Sequence, residues 1–242
     1  MNPAVGSLSA FFPCYNDAPT IGGLVKTVAT TIEQLGIADF EVIVVDDAST
    51  DTSPEVLEAT ALEVPQLRVV RHPFNRGYGG ALISGFNTAR KQWVFYTDGD
   101  GQYDAAELAL LVEAATDDVD VVQGWKKSRS DPLSRKIVGW TYQRTVRRLF
   151  RLQVRDVDCD FRLIRREALE RAQLFHTSGV ICVELVRKLQ DNGASFVEVP
   201  VSHHPRRHGH SQFFNPRSVA RALGGLLMLR LELFLERHRG KW

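Results

Sequence analysis

Residues 93–104, WVFYTDGDGQYD, decide how this chain is read. A short apolar run from Trp93 to Tyr96 ends in two aspartates one residue apart, Asp98 and Asp100, each followed by glycine. Such a run bounded by glycine predicts a buried strand. Strand side chains repeat every two residues, so Asp98 and Asp100 leave its end on the same side. Gly99 and Gly101 let the backbone turn there. Two carboxylates held so close at the edge of a core repel, and burying them is costly unless a cation or donors compensate. Hard divalent ions with oxygen ligands, Mg²⁺ or Mn²⁺, are the natural compensation and usually also hold substrate phosphates. A calcium loop of the helix–loop–helix type needs glycine at its sixth position and glutamate at its twelfth. Counted from Asp98 those positions are Tyr103 and Ala109, which excludes it. A plain polar turn is the competing reading of the stretch taken alone.

The flanking sequence repeats one theme. Residues 7–14 predict a strand broken by Pro13, and Asp17 and Pro19 predict the cap and first turn of a helix running to about 35, closed by Gly36. Residues 40–45 are almost uniformly apolar, as buried parallel strands are, and end in Asp46-Asp47. A helix at about 54–61, a strand at 67–71, a glycine-rich turn at 75–80 opening a helix to about 90, a helix at about 105–115 and a strand at 119–123 follow. Alternating strands and helices imply a mainly parallel sheet with helices on both faces. Ligands then sit beyond the carboxyl ends of the strands. The polar clusters at 15–17, 46–47 and 98–100 all fall at such ends. Gly77 and Gly79 lie in a turn that approaches phosphate or only packs a helix against the sheet. The glycine pattern departs from the dinucleotide fingerprint at Leu82, and no P-loop is present.

Bulk properties bound the rest. The chain has 242 residues, 44% hydrophobic and 24% charged, with a net charge of +1, so it is an ordinary globular protein and not a nucleic-acid binder by composition. Charge is uneven: residues 125–166 carry thirteen Lys/Arg against four Asp, which predicts a local anionic partner. Three dispersed cysteines read as reduced thiols of a cytoplasmic protein. Neither a signal peptide nor a spanning helix is expected.

Six stretches together resemble family 2 glycosyltransferases. They are FFPCYNDAPTIGGLV, VIVVDDASTDTS, NRGYGGALISGF, TDGDGQYD, DVDCDFRLIRREAL and VPVSHHPRRHGHSQF, which occur in that order between about residues 8 and 214. The last three are most similar to the polyprenyl-phosphate hexosyltransferase branch, the dolichol-phosphate mannosyltransferase group. The resemblance implies an α/β GT-A fold, a nucleotide-sugar donor such as GDP-mannose or a UDP-hexose, a Mg²⁺ or Mn²⁺ ion, and inversion at the anomeric carbon. By position it assigns Pro13, Tyr15, Asp17 and Asp46 to the nucleoside, Asp98 to donor sugar and diphosphate, and Asp100 and Gln102 to the metal. It assigns Lys126 and Arg135 to an acceptor phosphate. Arg206, Arg207, His208, His210 and Ser211 fall in a loop expected to close over the diphosphate. Two departures stand out: Asp160 replaces the usual glycine, and Gln212 the usual lysine.

The implied division is a catalytic unit at 1–214 and an amphipathic helix at 215–242 that packs on it, pairs with a second copy, or lies on a membrane surface. The first expectation is transfer of a hexose to a polyprenyl phosphate at the inner membrane face. A phosphate monoester is nucleophilic unaided. A sugar-hydroxyl acceptor needs a carboxylate base, for which Asp156, Asp158 and Asp160 are the candidates. A non-catalytic nucleotide-sugar-binding protein is the third reading. Four histidines at 203–210 invite zinc, but Arg206 and Arg207 between them oppose a cation.

Overall fold

A computed structural model describes residues 4–127, 133–205 and 216–239. Strands β1 (Ser7–Cys14), β2 (Asp39–Asp46), β3 (Leu67–Arg71), β4 (Trp93–Thr97), β5 (Val121–Lys126), β6 (Phe161–Arg165) and β7 (Phe196–Val201) form one sheet in the order β3-β2-β1-β4-β6-β5-β7. Helices α1 (Ala18–Gln34), α2 (Ser53–Glu63), α3 (Tyr78–Thr88), α4 (Leu108–Ala114), α5 (Leu133–Phe150), α6 (Arg166–Ala172), α7 (Ile181–Asp191) and α8 (Pro216–Arg239) connect and extend it. One core cluster joins α1 and α4 to one sheet face, and a second joins α3, α6 and α7 to the other. The α/β expectation therefore holds. A third cluster packs Leu226, Leu229 and Leu233 of α8 against Val146 and Phe150 of α5 and Val180, Val183 and Val186 of α7 or its approach.

Two topological facts position the site. The chain leaves β1 for β2 on one side and later returns β4 to the other side of β1. The order of strands thus reverses between β1 and β4, where open sheets form their ligand crevice. The second fact is an antiparallel strand inside the mostly parallel sheet that the sequence predicts. β6 runs antiparallel between β4 and β5, pairing Tyr96 with Arg162 and Thr97 with Phe161. Arg162 and Arg165 interrupt the apolar run of this strand, which hides it from a pattern reading. One step beyond that register, Asp160 faces Asp98 across the ends of two antiparallel strands.

Candidate active site

The crevice is assembled from loops whose polar groups hold one another. The turn after β1 places Asn16 at φ 60°, and its Oδ1 accepts from Thr50 N at 2.7 Å and Asp51 N at 3.2 Å. Asn16 N and Asp17 N donate to Ser49 Oγ and Ser53 Oγ at 3.0 and 3.1 Å. Asn is one of the few non-glycine residues that tolerates this left-handed backbone. Asp17 stands at the start of α1 but does not cap it with its side chain. Its Oδ2 accepts from Tyr15 N at 3.1 Å, so it shapes the turn that presents Tyr15. Tyr15 itself is 45% exposed, an aromatic ring left open at the crevice rim.

The paired aspartates after β2 divide their work. Asp46 Oδ1 accepts from Ser49 N at 2.9 Å, while its buried Oδ2 has no hydrogen-bond partner among the described residues and lies 3.3 Å from Arg71 Nε. Asp47 turns away and is fully used. It binds His72 Nδ1 at 2.6 Å, Arg76 N at 2.8 Å and Gly77 N at 2.9 Å. Gly77, at φ +80°, has its N–H committed to Asp47 and Asn75, and a Cβ there would meet Thr177 O at 2.9 Å. At Gly79 a Cβ would stand 2.3 Å from His176 O, and Gly79 N donates to Thr177 O at 2.9 Å. The glycine turn is thus a packing joint against residues 176–177. Of the two readings of this turn, the contacts among the described residues are those of helix packing, and the Gly77 N–H is held by Asp47 and Asn75.

The centre lies at the end of β4. Gly99 approaches β1 so closely that a Cβ would meet Pro13 O at 2.5 Å, and Thr20 Oγ1 donates to Gly99 O at 2.7 Å. Pro13 thus supports this loop by its backbone. Asp98 Oδ1 accepts from Tyr78 Oη at 2.7 Å, a partner that sequence reading missed because a tyrosine inside a glycine turn carries no signature. Asp100 Oδ1 accepts from Gln102 N at 2.9 Å, which fixes the carboxylate. Gln102 Nε2 donates to His204 O at 3.1 Å and its carbonyl accepts from His204 N at 2.7 Å. Gln102 therefore also straps the loop to the chain leaving β7, with its side-chain oxygen still an available acceptor type.

Asp160 is held from below. Arg162, fully buried, donates Nη1 to Asp160 Oδ1 at 2.8 Å, Nε to Gln123 Oε1 at 2.6 Å and Nη2 to Val157 O at 2.5 Å. Tyr96 Oη and the Cys182 thiol donate to the same carboxylate at 3.2 and 3.3 Å. A buried guanidinium persists only when its donors are met in this way. Lys126, at the end of β5, donates to Asp158 O at 2.7 Å and stands 4.0 Å from Asp156 Oδ2. Burial pushes the Asp160 carboxyl up to about 6 against the pull of the Lys126 ammonium. Burial, with the charges of Asp160 and Asp100, pushes Asp98 well above the usual carboxylate range, and Tyr78 and Lys126 offset only part of that.

This excess of carboxylate charge fits a cation. The metal donors expected at Asp100 and Gln102, with Asp98 beside them, are all oxygen, as Mg²⁺ and Mn²⁺ prefer. Among the described residues no three His, Cys, Asp or Glu side chains form a ready metal cage. A Mg²⁺-type site commonly has one or two carboxylates and draws its remaining ligands from water and substrate phosphate. Arg206, Arg207, His208, His210 and Ser211, with Gln212, lie outside the described residues, as does the side chain of Arg135. The three cysteines are free and buried.

Comparisons with known proteins agree with this architecture. The profile of glycosyl transferase family 2 matches residues 9–172. An undecaprenyl-phosphate 4-deoxy-4-formamido-L-arabinose transferase of Aeromonas hydrophila is 30% identical over 217 residues, covering 88% of this chain and 64% of that protein. A dodecaprenyl-phosphate galacturonate synthase of Rhizobium johnstonii is 28% identical, over 97% of this chain and 68% of its own length. The chain thus spans about two thirds of these relatives. Among solved structures, glucosyl-3-phosphoglycerate synthase of Mycobacterium tuberculosis with phosphoglyceric acid superposes at TM-score 0.72 and 19% identity, covering 92% of this chain and 79% of the other. The same enzyme with Mn²⁺ and UDP-glucose gives TM-score 0.69 at 18% identity, covering 93% of this chain and 78% of the other. These likenesses are to a GT-A fold.

Proposed function

Because the chain belongs to glycosyl transferase family 2 and is a glycosyltransferase, we propose that it transfers a hexose from a nucleotide sugar to a polyprenyl phosphate with inversion. The observation that carries the reading is the placement of Asp98 and Asp100 at the switch point of the sheet, with Asp160 brought alongside by the antiparallel β6. A departing nucleoside diphosphate gathers negative charge on its leaving oxygen. A divalent ion held by Asp100 and Gln102, with Asp98 close by, would neutralise that charge as a Lewis acid. The protein's own contribution is positioning. Tyr15 offers a ring for a base, Asp46 a carboxylate beside it for the nucleoside, and the loop network of Asn16, Ser49 and Ser53 keeps both fixed before substrate arrives.

The acceptor assignment rests on the carboxylates as much as on the relatives' names. Asp160 is buried and tied to Arg162, Tyr96 and Cys182. Asp156 is buried and accepts from Gln143 Nε2. Neither is presented as a general base. A phosphate oxygen needs none, and Lys126 supplies the cation beside it. Arg135, Arg206, Arg207 and Ser211 are proposed to complete the phosphate contacts. A second reading keeps the donor chemistry with a soluble hydroxyl acceptor. It is favoured by Asp158, which of the three carboxylates is half-buried where Asp156 and Asp160 are buried, and so is the most accessible as a base.

The test is transfer across a panel of GDP- and UDP-sugars with Mn²⁺ or Mg²⁺, offering a short-chain polyprenyl phosphate, the same polyprenol without phosphate, and soluble sugars. Product with the lipid phosphate alone, unaffected by Asp158→Asn, supports the proposal. Product with a hydroxyl acceptor, abolished by Asp158→Asn, replaces it with the second reading.

A further inference from the structure

A basic cluster with a cavity lies at the carboxyl end of α5. Helix α5 carries Arg135, Lys136, Arg144, Arg147 and Arg148 and no acidic residue, so no carboxylate of its own helix neutralises it. Near its carboxyl end a cavity of about 280 Å³ is lined by Gln143, Arg144, Arg147, Arg148 and Leu152. Arg147 Nε itself is buried beneath this surface without a hydrogen-bond partner among the described residues. Three arginines lining one cavity, with no acidic residue on their own helix, are a costly arrangement unless an anion completes it. The planar fork of arginine matches phosphate oxygens in pairs.

The neighbouring surface indicates where the anion comes from. Leu152, which lines the cavity, and Val146 and Phe150, either side of its arginines, pack against Leu226, Leu229 and Leu233 of α8. The outer side of α8 presents Leu223, Leu227, Met228, Leu231, Phe234 and Leu235, each 45–68% exposed. Their spacing keeps them on one helical face. Yet no helix among the described residues is long and apolar enough to cross a membrane. An apolar helix face beside clustered arginines is complementary to an anionic bilayer surface, where headgroups are negative and the layer beneath is apolar.

We infer that the α5 cavity binds the phosphate of a lipid headgroup while the outer face of α8 rests in the same leaflet. The site is separate from the acceptor contacts proposed at Lys126 and Arg135, and it stands whichever acceptor the crevice uses. It also borders the catalytic loop, because Gln143 of its lining donates to Asp156, the carboxylate beside Lys126.

The experiment is sedimentation of the whole chain with vesicles of phosphatidylcholine alone and of phosphatidylcholine with phosphatidylglycerol, at two salt concentrations. The variants are Arg147→Gln/Arg148→Gln and, separately, Leu227→Gln/Leu231→Gln. Phosphatidylglycerol vesicles should bind the wild type about tenfold or more tightly than neutral ones, less so at high salt. The arginine pair should lose about that factor while nucleotide binding stays unchanged, and the leucine pair should weaken binding to both vesicle types. Equal binding to neutral and anionic vesicles overturns the proposal, as does anionic binding unaffected by the arginine pair. Calorimetry with inorganic phosphate separates the sources. Tight binding of free phosphate that the arginine pair abolishes, with no vesicle binding, makes the cavity a soluble-anion site and overturns the lipid assignment. Melting curves identify a variant that has not folded. Arg148→Gln alone, at an exposed position, then serves as the readout and should lose a smaller share of the same preference.

Discussion

The two halves of the sheet are built on different terms. On the side of β1, β2 and β3 every strand is parallel, and the loops beyond them close upon themselves through Asn16, Asp47, Ser49, Asp51 and Ser53. On the side of β6, β5 and β7 an antiparallel strand intervenes, and its buried Arg162 organises residues 156–160 from beneath. Beyond that strand lie arginines and an exposed apolar helix face. The loops of the first half are braced within the protein, which suits the proposed binding of a nucleotide in one fixed pose. The second half leaves charge and apolar surface for partners to cover. The aspartates at the end of β4 stand on the boundary, where donor and acceptor must meet.

The sharpest way to break this comparison is at the boundary. Asp100→Ala should lower sugar transfer about 10³-fold while leaving the melting temperature nearly unchanged, because the residue serves the ligand side of its loop. A loss of folding instead would make Asp100 structural. Within the first half, Asp47→Ala should destabilise by about 3 kcal/mol, since it strips partners from His72, Arg76 N and Gly77 N together. Asp46→Ala should also cost stability, since its buried carboxylate accepts from Ser49 N and pairs with Arg71, and should in addition weaken nucleoside-diphosphate binding, read by calorimetry. Equal effects of the two on that binding would erase the division between them. Gly79→Ala should cost about 2 kcal/mol by driving a methyl into the His176 carbonyl, measured by denaturant melts.

The smallest effect belongs to the second half. Burial raises Asp160 to about 6 from an ordinary value near 3.8. The folded state then holds the proton more tightly than the unfolded chain. The associated stability is fully present below the ordinary carboxylate range and is lost as pH rises through about 6. Metal-free protein should therefore lose stability across that window, and Asp160→Asn should flatten the slope. A slope unchanged in Asp160→Asn would assign it to another group.

What the sequence disclosed follows the same boundary. β2 and β4 were legible because each is a nearly pure apolar run that ends in, or is followed by, aspartate. Asp98 and Asp100 were legible because two carboxylates one residue apart at a strand end have few structural uses. β6 was not, because Arg162 and Arg165 break its pattern, and the reason for burying Arg162 lies in Gln123, Val157 and Asp160, distant in the chain. Gly77 signalled a close approach, but its neighbour proved to be the backbone of Thr177. Glycine reports that something comes near and does not say what. Tyr78 as the partner of Asp98, and the strap from Gln102 to His204, carry no local signal.

Calorimetric titration of UDP and GDP into the wild type and Asp100→Ala, with Mn²⁺ and with chelator, tests the central claim most directly. The account predicts that one diphosphate binds with Mn²⁺, at least about tenfold more weakly without it, and that Asp100→Ala removes the metal's advantage. Binding of equal strength with metal, with chelator and in the variant would contradict a donor site built on the aspartates at the end of β4.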